Sequence, residues 1–203
     1  MTRAITTVLC LLSTTAFAGV GGEISAELGQ LHNGDPTYDL FSNRDGMPSR
    51  GLRVGIAPVE RFTVLAGWHR VRRGADLDLP GGSLNAAFFA DEFTLGPKVD
   101  LNIGDIFYPY ATVQGVLFRG VMKLDDDPDR DDNAGQIRAA ALSGGALFMG
   151  GLELRNPSSD MLPLQFAVHV EAGYGLISRG NYDTLGSMQP GGFVLRTGVG
   201  VRF

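Results

Sequence analysis

The chain has 203 residues, a formal net charge of −5, 44% hydrophobic residues and a near-neutral mean hydropathy of +0.05. Dispersed Lys and Arg on a mildly acidic background exclude nucleic-acid binding, and a single cysteine, Cys10, excludes a disulfide framework or a Cys-ligated metal. Beyond the N-terminus no run of about 18 apolar residues exists, which excludes a transmembrane helix, while 29 glycines without helical periodicity indicate an all-β protein.

Residues 1–18 read as a Sec-type signal peptide. Met1-Thr2-Arg3 is the basic start, Ala4 to Thr15 the apolar run, and Ala16-Phe17-Ala18 the small-x-small cleavage site before Gly19. The apolar run is too short to span a bilayer, which takes roughly 20 helical residues. Cys10 lies inside this run without a lipoprotein cleavage site, so no lipid anchor is expected.

From residue 19 onward, eight segments alternate with period two. Glu23 to Leu31 sets Ile24, Ala26 and Leu28 against Glu23, Ser25, Glu27 and Gly29. Gly51 to Pro58 sets Leu52, Val54 and Ile56 against Arg53, Gly55 and Ala57, and Arg61 to Arg70 sets Phe62, Val64, Ala66 and Trp68 against Thr63, Leu65, Gly67 and His69. Three less regular segments follow, at Ala87 to Leu101, Tyr108 to Gly120 and Ile137 to Leu154. In the first of them Phe93, Leu95, Val99 and Leu101 oppose Glu92, Thr94, Lys98 and Asp100, and Pro97 predicts a bulge. From Leu164, Phe166, Val168, Val170, Ala172 and Tyr174 oppose Gln165, Ala167, His169, Glu171 and Gly173. The last segment sets Phe193, Leu195, Thr197, Val199, Val201 and Phe203 against Val194, Arg196, Gly198, Gly200 and Arg202.

The connections alternate in length. His32–Ser49, Arg72–Asn85, Lys123–Gln136 and Ile177–Gly191 are long; Pro58–Arg61 and Asn102–Phe107 are short, and Arg155–Pro163 is of medium length. Long extracellular loops and short periplasmic turns follow this rule in outer-membrane barrels, with both termini periplasmic when the strand number is even. A soluble barrel or sandwich would also alternate. Here, however, the polar face is rich in glycine and small residues, as suits a narrow lumen. The predicted fold is therefore an all-β, eight-stranded antiparallel up-and-down transmembrane β-barrel over residues 19–203. Trp68, Tyr108, Tyr110, Tyr174, Phe193 and Phe203 lie near strand ends and are expected to form aromatic girdles.

The end of the chain, Gly198-Val199-Gly200-Val201-Arg202-Phe203, resembles the terminal signal of outer-membrane β-barrels. With the leader and the strand pattern, it makes the chain similar to small barrels of the OmpA and OmpX type. The resemblance implies that Val199, Val201 and Phe203 are read by the barrel-assembly machinery, and that the protein lies in the outer membrane of a Gram-negative bacterium after Sec-dependent export. It also implies contact with outer-membrane lipids and lipopolysaccharide. No peptidoglycan-binding domain is expected after Phe203.

Two constellations carry chemistry. The inner face collects Glu23, Glu27, Arg53, Lys98, Asp100, His169, Glu171, Arg196 and Arg202, expected to form a salt-bridge network because isolated buried ions cost several kcal/mol. Glu171 and Arg196 are expected to pair, being on neighbouring strands, and Arg196 and Arg202 to come within reach of Glu23 and Glu27. In the stretch Asp125 to Asn133, Asp127, Asp129 and Asp131 recur every second residue, as hard-cation ligands do. The glycine and distal glutamate of an EF-hand are missing, so a solvated acidic loop competes with weak binding of divalent cations.

No catalytic residue is assigned and no cofactor is expected. In lipid A deacylase barrels a His and a Ser lie two apart on one strand, whereas His169 is followed by Val170 and Glu171, and His69 by Arg70 and Val71. The expected function is a non-enzymatic rigid barrel displaying four extracellular loops for envelope integrity or surface recognition, with Tyr38, Phe41, Tyr182 and Met188 as apolar contact groups. A narrow passive pore and a lipid A-modifying enzyme are the alternatives.

Overall fold

The computed structural model describes residues 20–37, 46–79, 82–101, 103–104, 106–125, 137–157 and 164–203. Residues 1–19, the acidic candidates Asp127, Asp129 and Asp131, and the loop residues Tyr38 and Phe41 lie outside them.

Eight strands follow one another: β1 Gly21–His32, β2 Gly46–Val59, β3 Phe62–Leu79, β4 Gly82–Asp100, β5 Phe107–Asp125, β6 Ile137–Arg155, β7 Gln165–Ile177 and β8 Gly192–Arg202. Each pairs antiparallel with its predecessor, and β8 pairs with β1 to close the barrel. At the seam Ala26 faces Val199 and Glu23 faces Arg202. Gly22 and Phe203 exchange both backbone hydrogen bonds, at 2.7 and 3.0 Å. Closure leaves no free seam, so where neighbouring strands overlap the backbone groups pair within the sheet. In a medium without water only helices and closed barrels achieve that.

The polarity of the wall is inverted relative to a soluble barrel. Leu28, Ile56, Leu95, Phe166 and Val199 are outward and about 60% exposed or more, whereas Glu27, Arg53, Lys98, Glu171 and Arg196 are buried inside. An apolar outer belt combined with interior charge is the arrangement that hydrocarbon selects. Along β3 the belt is bracketed by Arg61, in the turn before it, and Arg70. That spacing agrees with the roughly 9–11 residues a tilted strand needs to cross.

Several strands run well past that length. β3, β4, β5 and β6 have 18 or 19 residues each. The long loop expected at Arg72–Asn85 is instead a continuation of β3 and β4, paired from Arg72↔Phe89 to Leu79↔Gly82. Asp76, Asp78 and Pro80 gave this hairpin a loop-like composition, but cross-strand pairing overrides local propensity.

Pro97 introduces no register shift. The β4–β5 ladder lapses at Gly96 and Pro97, then resumes in the same register, from Leu95↔Gly115 to Lys98↔Thr112. The missing N–H therefore interrupts the ladder locally without displacing it. The one shift in the β2–β3 pairing falls between Ile56 and Val59, beside the turn.

The interior has two storeys. Near the chain termini it is charged. Towards the opposite rim, here called the loop end, it is an apolar plug in which Phe88, Phe118, Met122, Tyr182 and Met188 are fully buried. The rings of Phe88 and Phe118 stack at 6.4 Å. The polar, glycine-rich inner face expected from the alternation thus holds for the part of the height nearest the termini. Where the long strands rise past the membrane, the wall reverts to the soluble pattern, with apolar residues inside.

Candidate functional site: the charge network of the lumen

Glycines on the inner face make room for the large polar side chains. His69 lies opposite Gly51, His169 opposite Gly198, and both Tyr110 and Glu171 opposite Gly151. A Cβ on Gly198 would lie 2.5 Å from the His169 ring, and one on Gly151 2.5 Å from the Tyr110 ring. An inner-face glycine in a strand therefore marks where a neighbour's side chain lies flat against the wall.

Near the termini three cations meet three carboxylates. Lys98 Nζ lies 3.0 Å from Glu23 and 2.7 Å from Glu153, with the Tyr110 ring 4.8 Å away. Arg155 binds Glu153 at 2.5 Å through Nε and Asp100 through Nη2, its guanidinium stacked 3.7 Å over Tyr108. Arg202 reaches Asp100 at 3.1 Å, and Glu23 and Glu153 at 3.4 Å.

The middle layer is built around Arg53 and Glu27. Arg53 contacts Glu27 at 3.0 Å and Glu171 at 2.9 Å. The Tyr110 hydroxyl donates to the same Glu171 oxygen at 2.8 Å. The Nε2 atoms of His69 and His169 approach the two oxygens of Glu27, at 2.6 and 3.0 Å. Above this layer Arg196 binds Glu92, and His69 Nδ1 lies 3.6 Å from the same carboxylate. Each buried ion thus has at least one opposite partner, the condition under which interior charge is tolerated.

All nine interior residues singled out from the sequence lie in this network. The pairing differs from expectation at one point: Glu171 and Arg196 are direct neighbours in register, yet Arg196 pairs with Glu92 and Glu171 with Arg53. Arg196 instead reaches across the lumen to Glu92 on β4, and Glu171 to Arg53 on β2. Arg202 does reach Glu23, whereas Glu27 is occupied by Arg53 and the two histidines.

Five participants went unassigned in the sequence: His69, Glu92, Tyr110, Glu153 and Arg155. His69 and Glu92 share the polar parity of their strands, which was signal enough. Glu153 lies at the end of one of the less regular segments, and Arg155 falls in the connection read after it. Tyr110 had been expected in an aromatic girdle, but its side chain is 5% exposed and points into the lumen.

At the loop end, Tyr182 and Met188 are not displayed as surface contact groups. The segment 178–191 folds inward through a short ladder between Gly180–Asn181 and Ser187–Met188, which buries both side chains in the plug. Burial pushes the Tyr182 phenol up to about 12. A second tie joins this segment to residues 33–37. Asp35 accepts from the backbone N–H groups of Thr37 and Gln189, each at 3.0 Å, and the Asn33 amide donates to the Gln189 carbonyl.

No family model and no curated protein matches the sequence. Solved structures do match in fold. The attachment invasion locus protein Ail of Yersinia pestis, crystallised with the heparin analogue sucrose octasulfate, aligns with a TM-score of 0.56 at 16% identity, over 91% of this chain and 99% of Ail. The outer-membrane protein OprG of Pseudomonas aeruginosa gives 0.52 at 14% identity, over 91% and 96%. Neisserial surface protein A gives 0.51 at 13% identity, over the same shares. The chain has the eight-stranded barrel fold of these small outer-membrane proteins.

Proposed function

We propose that the protein is an integral outer-membrane barrel that acts as a closed, non-enzymatic scaffold, holding its loop end rigidly at the cell surface for envelope integrity or surface recognition. The observation that carries this reading is the filled interior. A cross-braced ion network occupies the storey level with the membrane, and the apolar plug around Phe88 and Phe118 occupies the storey above it. A barrel of eight strands is just wide enough for side chains to fill, and a filled lumen favours a scaffold over a passive pore.

The remaining parts of the reading come from the sequence. Residues 1–18 direct Sec-dependent export and are removed. Val199, Val201 and Phe203 form the strand read by the assembly machinery. The termini face the periplasm, and the loop end faces outward among lipopolysaccharide. The acidic stretch with Asp127, Asp129 and Asp131 is read as a solvated surface loop, with weak binding of divalent cations as the alternative.

Fractionation and gel migration test the central claim: the product is expected in the outer membrane and to migrate faster unboiled than boiled. Recovery in the soluble periplasmic fraction would overturn it. Planar-bilayer recordings test the scaffold reading, and stable ionic steps would replace it with a pore.

A further inference from the structure

Just beyond the apolar belt, on the outer wall, the register sets charged residues in one row. Arg50 lies opposite Arg70, Arg70 opposite Asp91, and Asp91 opposite Arg119. All four side chains point away from the lumen. Arg72 follows one step further along β3. Two like charges directly opposite on one sheet face repel each other, so the Arg50–Arg70 pairing needs an anion to offset it.

One such anion is already committed. Asp91 takes both Nε and Nη2 of Arg70, at 2.9 and 3.2 Å, and also accepts from the Trp68 indole at 3.1 Å. Arg72 is held by its stack on Phe89, 5.3 Å from the ring centroid. Arg50, Arg70, Arg72 and Asp91 line an open cleft of about 680 Å³ together with Leu28, which lies opposite Arg50, and Phe89, which lies opposite Arg72. The cleft therefore presents three guanidinium groups and one carboxylate flanked by two apolar side chains.

Its depth identifies the occupant. Trp68 marks the membrane–water interface, where amphipathic rings sit at headgroup level, and the arginines lie immediately above it. Arginine forks match phosphate bidentately, and the flanking Leu28 and Phe89 side chains suit the start of an acyl chain. With the loop end outward, as proposed above, this leaflet is the one built from lipopolysaccharide. We propose that the cleft binds the phosphorylated headgroup of lipid A, with Arg50 and Arg72 as its principal contacts and Arg70 held in place by Asp91.

Trp68 is the chain's only tryptophan, and its bond to Asp91 makes it a reporter at the cleft. The refolded barrel in zwitterionic micelles is titrated with lipid A, phosphatidylglycerol or inorganic phosphate while Trp68 emission is followed. Lipid A is expected to give a saturable change that R50E/R72E weakens at least tenfold. R50Q/R72Q serves as a milder second variant, and retained heat-modifiable migration verifies folding. Three results would overturn the proposal: no saturable response, an equal response in the variants, or an equal response to phosphate or phosphatidylglycerol. A chain that fails to insert would instead defeat the membrane reading on which this proposal rests.

Discussion

Arg53 and Glu171 stand 118 positions apart in the chain and on strands separated by β1 and β8, yet their side chains meet at 2.9 Å across the lumen. Both are almost fully buried, so the pair braces one wall of the barrel against another. Removing one partner of a buried pair leaves an uncompensated ion, at a cost of about 3–5 kcal/mol.

R53M is therefore expected to destabilise the barrel by about that amount, because Glu27 and Glu171 both lose their guanidinium. Neutralising one of them should recover part of the loss. The double variant R53M/E171Q is expected to cost clearly less than the two single changes added together, as read from urea unfolding of the refolded protein in micelles. Additive costs would show that the two residues are not coupled.

The apolar storey is expected to matter as much as the charged one. F88A removes a fully buried ring that stacks on Phe118, and a Phe→Ala change in such a site costs about 3–5 kcal/mol. The same unfolding experiment measures it. A loss under about 1 kcal/mol would mean that the plug contributes little to stability.

Gly120 leaves the space occupied by Tyr182. A Cβ there would collide with the Tyr182 hydroxyl. G120V is thus expected to drive Tyr182 out of the plug and loosen the segment 178–191 while leaving the ladders intact. Limited proteolysis should then cut that segment faster with heat-modifiable migration retained, and an unchanged cleavage rate would count against the contact.

The strand faces were legible from alternation alone, because a period of two assigns every side chain to one side of the wall. Partners inside the lumen were not. Whether Arg196 meets Glu171 or Glu92 depends on how far the strands are staggered around the barrel, and no local pattern encodes that stagger. The inward turn of Tyr182 and Met188 was equally hidden, since an apolar residue in a glycine-rich loop reads the same whether it faces solvent or a plug. The far ends of β3 and β4 read as loop for a related reason: from Leu77↔Leu84 to Leu79↔Gly82 the two arms pair, among the described residues, only with each other, and their composition does not encode that.

The tie between the two loop segments gives a pH prediction. Partial burial opposes ionisation of Asp35, but the N–H groups of Gln189 and Thr37, the Thr37 hydroxyl and Arg179 outweigh it and hold the carboxyl below its ordinary range. A lowered folded value means that the contribution is present above the unfolded value of about 3.9 and is lost as pH falls through the folded one. The amide resonances of Thr37 and Gln189 are expected to stay constant at neutral pH and to move only below about pH 4. D35N should place them near their acid positions at neutral pH, and resonances insensitive to both changes would show that the tie does not form.

Because β1 is hydrogen-bonded to β8 and Gly22 exchanges both backbone bonds with Phe203, the sheet forms a ring in which no strand is first or last. A short linker joining the two ends, with the chain reopened at one of the other turns, would preserve every strand pairing. Such a circular permutant would separate the needs of the folded ring from those of delivery: its stability should match the parent's, while its assembly in the cell would show whether the strand ending at Phe203 has to arrive as a free end.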